Sequence, residues 1–319
     1  MKSFTYRLLG FVSMQILVSL VFVIPYLQKY DNAVSQGFMA SSIEKHHRLE
    51  TVSSPRLILV GGSSVAFGIN SPDLQARLPY QVINMGIHAG LGAEFMLNEV
   101  KSSVKSGDVI VISLEYETFD KFPPDPKQVI DSIEARKENI AFLPLSYVPT
   151  LLDEGLLQLG SFLRRSGALI QSGSLERLPY YTRAGFNQYG DTVAHYPLPD
   201  DTNKLAGEGR YYRFESERIQ RTIRAMNQFY EFCRSQGAQV FFVYPPLMPR
   251  VLNMNQAEIA KIETELTHSL RFPILGKPEE FAYSDTDYFD TRYHLNQRGV
   301  QQRTEDLVRY LSPYLSTRK

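Results

Sequence analysis

The stretch RLILVGGSS, residues 56–64, decides the fold: a nearly continuous run of apolar, largely branched residues ends in two glycines and two serines. A run without polar alternation reads as a strand covered on both faces, the environment of a parallel sheet. The glycines permit a sharp turn and a close backbone approach, which aims the next hydroxyl at the carboxyl end of the strand. Two more runs repeat the pattern, QVINMG at residues 81–86 and DVIVISLE at residues 108–115. Helical stretches at Pro72–Leu78 and Ala93–Lys105 separate them, so the order is that of a doubly wound α/β domain with right-handed crossovers. Downstream, Ile219, Ile223, Met226, Tyr230 and Cys233 recur at helical spacing before a strand, QVFFVY, at residues 239–244. Ile259, Ile262, Leu266 and Leu270 mark another helix, Phe272–Leu275 a short last strand, and Val300–Leu311 a closing helix.

Between about residues 118 and 209 the alternation lapses. Prolines, one amphipathic stretch at Leu151–Arg164 and a Gly/Tyr/Asn-rich segment at Ser172–Asp201 read as an insertion, either a cover over a site or a structural cap. At the front, Leu8 to Leu27 is apolar apart from Ser13, Gln15 and Ser19, about the twenty residues that cross a hydrocarbon core. Lys2 and Arg7 precede it, which holds the N-terminus in the cytoplasm. No small-x-small cleavage site lies in Ile24–Asp31. The expected organisation is a membrane anchor at 1–30, a stalk at 31–54 and an α/β domain at 55–315. The anchor is a single pass through the cytoplasmic membrane, with the domain periplasmic or extracellular. His46 and His47, adjacent on a helix, would point apart and lie on a solvated face.

The bulk composition bounds the partners. With 319 residues, 43% hydrophobic and 21% charged, the chain buries a sizeable core, and 34 basic against 34 acidic residues leave no field to draw nucleic acid. The single cysteine, Cys233, excludes an intramolecular disulfide and reads as a small buried apolar residue.

Acyl-transfer chemistry needs a nucleophile, a base in reach of it, a group that orients the base, and donors for the oxyanion. In an open parallel sheet these collect at the carboxyl ends of the strands. Ser63, after Gly62, is the candidate nucleophile, with Ser64 its rival and a helix N-cap the bland alternative. After the second strand, the glycine-rich turn Asn84–Gly92 offers the Ala89 or Gly90 N–H to an oxyanion, while His88 either meets substrate or satisfies local backbone. Near the other end, His294 is the candidate base and Asp290 its orienting acid, with Asp285 and Asp287 as substitutes and Asn296 at the helix start. Glu115, Glu117 and His88 match no metal-ligand spacing, so no metal or cofactor is expected.

A strand ending in Gly-x-Ser, an Asn-x-Gly turn after the second strand and an acid-His-Leu-Asn segment near the C-terminus together resemble the SGNH (GDSL-like) hydrolases, from about Arg56 to Leu311 apart from the insertion. The resemblance implies a three-layer, flavodoxin-like sheet and a serine enzyme that cleaves or transfers ester-linked acyl groups. Ser63, His294 and Asp290 would then be nucleophile, base and acid, and Gly90 an oxyanion donor. Two features depart from the family pattern. Where relatives carry Gly-x-Asn-Asp, this chain has LEYE at residues 114–117, and an ionised Glu115 would repel an oxyanion. Asp290 also precedes His294 by four residues instead of three. The implied function is an extracytoplasmic esterase or O-acyltransferase on a cell-surface polysaccharide or lipid. The alternative is an inactive binding protein of an envelope polysaccharide export assembly. Tyr180, Tyr181, Arg183, Phe186 and Tyr189 are placed either to stack on sugars or to pack the insertion.

Overall fold

A computed structural model describes residues 2–120, 123–150, 152, 178 and 180–315. The amphipathic stretch expected at Leu151–Arg164 lies outside the described residues except for Leu152. The chain opens with α1 (Lys2–Val18), a π-helical turn at Ser19–Val23 and α2 (Ile24–Ser35), followed by α3 (Ser42–Thr51). The sheet elements are β1 (Arg56–Gly61), β2 (Gln81–Asn84) and β3 (Val109–Ser113), with α4 (Ser63–Ala66), α5 (Ser71–Arg77) and α6 (Ala93–Lys101) between them. Next come α7 (Pro126–Ala135), α8 (Thr202–Gly207), α9 (Ser216–Ser235), β4 (Gln239–Val243), α10 (Pro249–Met254), α11 (Gln256–Ser269), β5 (Ile274–Leu275) and α12 (Gln297–Leu315).

The five strands form one parallel sheet in the order β2-β1-β3-β4-β5, the doubly wound arrangement whose order reverses between β1 and β3. β1 is buried along its whole length and pairs on both sides, Leu59 with Asn84 and Gly61 with Ser113. This is why its sequence shows no polar alternation. Flanking helices pack in two groups, α6 with α9 and α11, and α5 with α12. Cys233 is buried on α9, and desolvation pushes its thiol up to about 12.

Two parts of the chain differ from their sequence reading. The helix α7 was not foreseen within the insertion; Pro126 sits at its start and Asp125 caps it by accepting from Lys127 N at 3.0 Å. The region expected as a stalk also packs on the domain. His46 is buried, not solvated, with Nε2 3.0 Å from Glu99 Oε1 on α6. Lys45 is wholly buried and donates to the carbonyls of Asn84, at 2.8 Å, and Gly190. Ahead of it, one helix is long and apolar enough to cross a membrane, Ser3–Val21, and none of that span is buried in the protein.

Candidate active site

Gly61 and Gly62 are demanded by close approach. A Cβ on Gly61 would lie 2.1 Å from the Ser113 carbonyl, and one on Gly62 would lie 2.5 Å from both Ala89 N and the Glu115 carboxylate. The chain therefore passes tightly between the ends of β2 and β3 and turns at once into α4, which begins at Ser63. Ser63 is half-buried, whereas Ser64 is fully buried and its hydroxyl has no hydrogen-bond partner among the described residues. Ser63 is the better placed of the two serines to meet a ligand.

The C-terminal segment returns to the same helix. Phe67 caps α4, its N–H donating to the Ser63 carbonyl at 2.8 Å, and the His294 ring stacks on the Phe67 ring with centroids 4.1 Å apart and planes within 8°. Asp290 Oδ1 lies 2.8 Å from His294 Nδ1. The four-residue spacing works through a tight bend. Tyr288 bridges Leu295 in antiparallel fashion, and Phe289 N donates to the His294 carbonyl at 2.8 Å. Burial opposes ionisation of Asp290, yet the His294 hydrogen bond and charge, with a hydrogen bond from Tyr181, hold its carboxyl below the ordinary carboxylate range. Among the described residues His294 Nε2 makes no hydrogen bond, and none joins it to Ser63 Oγ. Asp287 is committed elsewhere, to Arg298, and Asn296 caps α12 through Gly299 N at 3.2 Å.

The glycine-rich turn after β2 corrects one expectation. The Gly90 N–H donates to His88 Nδ1 at 2.9 Å, so it is not free for an oxyanion, and His88 satisfies local backbone. Among the described residues the Ser63 and Ala89 N–H groups carry no acceptor, and Ala89 is only half-buried. Glu115 is fully enclosed and accepts from Ser64 N at 2.8 Å and Gly62 N at 3.2 Å. Desolvation raises its pKa against the pull of those bonds. It thus braces the turn on either side of Ser63 instead of facing outward. Arg303 on α12 does the same from below, donating to the Ser64 carbonyl at 2.6 Å and Ser113 Oγ at 2.9 Å. Its burial lowers the guanidinium to about 10.

Several site residues escaped the sequence reading. Arg292 bridges Glu117 and Glu208, and Tyr293 donates to Glu117, which clamps the acid–base bend to the turn after β3. Asp191 accepts from Ser71 Oγ at 2.6 Å and Asn84 Nδ2 at 2.8 Å, fixing the insertion to the end of β2. His195 packs tilted against Phe67, with centroids 4.9 Å apart, and burial lowers it to about 4, so it stays neutral. The insertion's aromatic residues are used in packing: Tyr180 meets Phe289, Phe186 meets Phe38, and Tyr189 lies under Arg48. His88, Glu115 and Glu117 do not converge, and no group of metal-binding side chains occurs among the described residues.

No family model and no curated protein sequence matches the chain. Among solved structures, protein YxiM of Bacillus subtilis is similar with TM-score 0.38 and 13% identity over 82% of this chain and 57% of that one, so the chain spans little more than half of YxiM. A candidate platelet activating factor protein from Streptococcus pneumonia gives TM-score 0.40 and 12% identity over 92% of this chain and 98% of its own. At those scores neither likeness bears on the site, and the fold assignment rests on the sheet itself.

Proposed function

We propose that the chain is a membrane-anchored, extracytoplasmic serine esterase or O-acyltransferase of the SGNH type. Its substrate would be the ester-linked acyl groups of a cell-surface polysaccharide or lipid. The observation that carries the reading is the Asp290–His294 pair lying against the helix that Ser63 begins, with Nδ1 held by the acid and Nε2 left without a partner among the described residues. In that tautomer Nε2 accepts the Ser63 proton as Oγ attacks the acyl carbon. A new C–Oγ bond forms, and the tetrahedral oxyanion takes hydrogen bonds from the Ser63 and Ala89 N–H groups. Collapse breaks the ester C–O bond, and the imidazolium returns its proton to the departing alkoxide. Water or an acceptor hydroxyl then repeats the sequence on the acyl-enzyme, giving hydrolysis or transfer.

Replacing Ser63 with Ala and following acetyl release from a small aryl ester tests the proposal. The expected loss is at least about 10³-fold in kcat, since removing a triad nucleophile leaves only binding and oxyanion stabilisation. Turnover equal to wild type in the purified variant removes Ser63 from the mechanism. A second reading, a non-catalytic binding protein of an envelope export assembly, is favoured by the lack of a Ser63–His294 hydrogen bond. Serine-directed fluorophosphonate labelling separates the two, because a binding protein forms no Ser63 adduct.

A further inference from the structure

We infer that Tyr181, from the insertion, is a positioning residue that completes the acid–base pair as its third member. Its hydroxyl donates to Asp290 Oδ2 at 2.8 Å, and the same oxygen lies 3.2 Å from His294 Nδ1. Asp290 therefore has one oxygen on the imidazole and the other on a phenol. With both oxygens engaged the carboxylate cannot rotate away from the ring, and the proton on Nδ1 stays between them. Burial and the neighbouring Asp290 charge keep the Tyr181 phenol protonated, so it has a proton to donate to the carboxylate. The other ionisable groups facing Asp290 are Lys204, whose Nζ is 3.8 Å from Oδ2, Tyr180 and His195.

Tyr181 is not held by the sheet. Its ring meets Phe38 at 5.5 Å edge-on and Phe67 at 5.5 Å, and its neighbour Thr182 bridges Gly37 in antiparallel fashion. Arg183 pairs with Glu44, and its N–H donates to the Gln36 carbonyl at 3.0 Å. The segment that follows α2 thus sets the position of the tyrosine, and the insertion is a working part of the site instead of a separate cap.

This inference rests on the serine chemistry proposed above, so its test includes a readout independent of activity. Tyr181→Phe keeps the ring packing and removes only the hydroxyl. With carboxyl carbons labelled, the Asp290 resonance is titrated in the full-length protein in detergent, with Asp290→Asn assigning the signal. Loss of the phenol bond raises the midpoint of Asp290 in Y181F. In activity, kcat falls about tenfold at neutral pH, a part of the ~10²–10⁴ that a positioned base supplies, with KM unchanged. The acid limb of the kcat/KM profile moves to higher pH in step with the titration. An Asp290 midpoint identical in wild type and Y181F overturns the inference. A shifted midpoint in a protein that fluorophosphonate does not label upholds the hydrogen bond and sinks the serine chemistry instead.

Discussion

Glu115 stands where the SGNH resemblance would place an amide donor, and its carboxylate turns inward onto the Gly62 and Ser64 N–H groups. Glu115→Ala leaves both N–H groups buried without an acceptor, and each such group costs about 1–3 kcal/mol. Urea denaturation at neutral pH should show a loss of about 2–6 kcal/mol; a loss under 1 kcal/mol would mean that the carboxylate is no brace. Glu115→Gln retains one acceptor oxygen and separates bracing from charge. Because the folded-state pKa of Glu115 is raised above its ordinary 4.5, the unfolded chain ionises first as pH rises, and stability is lost through the raised range. E115Q lacks that loss, so its stability relative to wild type grows from pH 4.5 upward. The sequence made Asp290 and His294 legible because they share one short segment. It marked Tyr181 only for stacking or packing and hid its bond to Asp290, 109 positions away, because a tyrosine in an irregular segment carries no periodicity. The acidic LEYE segment was visible, but its direction was not, since a side chain's facing at a strand end depends on the neighbouring turn.

The strand-and-helix alternation was legible because a parallel sheet needs continuous apolar strands, and β1 covers the apolar part of the stretch 56–64 and ends at its first glycine. The lead-in before it was not. α3 carries Lys45, His46, Arg48 and Glu44 among few apolar residues, and such a composition reads as solvated. Its burial comes from partners that the sequence does not announce: Glu99 for His46, the Val82 carbonyl for Arg48, and two carbonyls for Lys45. Lys45 joins α3, β2 and the insertion at one point, and desolvation lowers its pKa to about 7 from 10.5. The sign of the linkage follows from that depression. Between pH 7 and 10.5 the unfolded chain binds a proton that the folded chain does not, so stability rises with pH across the window. Replacing Lys45 with Met removes the term. Thermal melts at pH 7 and pH 9.5 should show wild type gaining on K45M at the higher pH, and a difference that does not change with pH would mean that the buried amine is not neutralised.

At the scale of the whole molecule, the N-terminal helix presents Leu8, Leu9, Phe11, Met14, Ile16, Leu17 and Leu20 to no part of the protein. Burying one such side chain is worth about 1.5–3 kcal/mol, so leaving seven in water would forfeit more than about 10 kcal/mol. The 19-residue span Ser3–Val21 is about 28 Å long as a helix, close to the ~30 Å hydrocarbon core of a bilayer. A membrane would supply the missing cover. The helix also runs into the domain without a loose joint. Tyr30 OH donates to Glu134 on α7 at 3.2 Å, and Phe38, three positions past α2, touches both Phe67 and Tyr181. The segment that follows the N-terminal helices thus packs directly against the candidate site. In a bacterial host, the full-length chain should stay with membranes through an alkaline carbonate wash, and deleting residues 2–23 should release a folded domain. With the proposed anchor, the basic N-terminal flank would orient the domain outward, and protease added to intact spheroplasts should then digest it. Recovery of the full-length chain in the carbonate supernatant would overturn the anchor, and protection of the domain in intact spheroplasts would overturn its orientation while leaving the anchor in place.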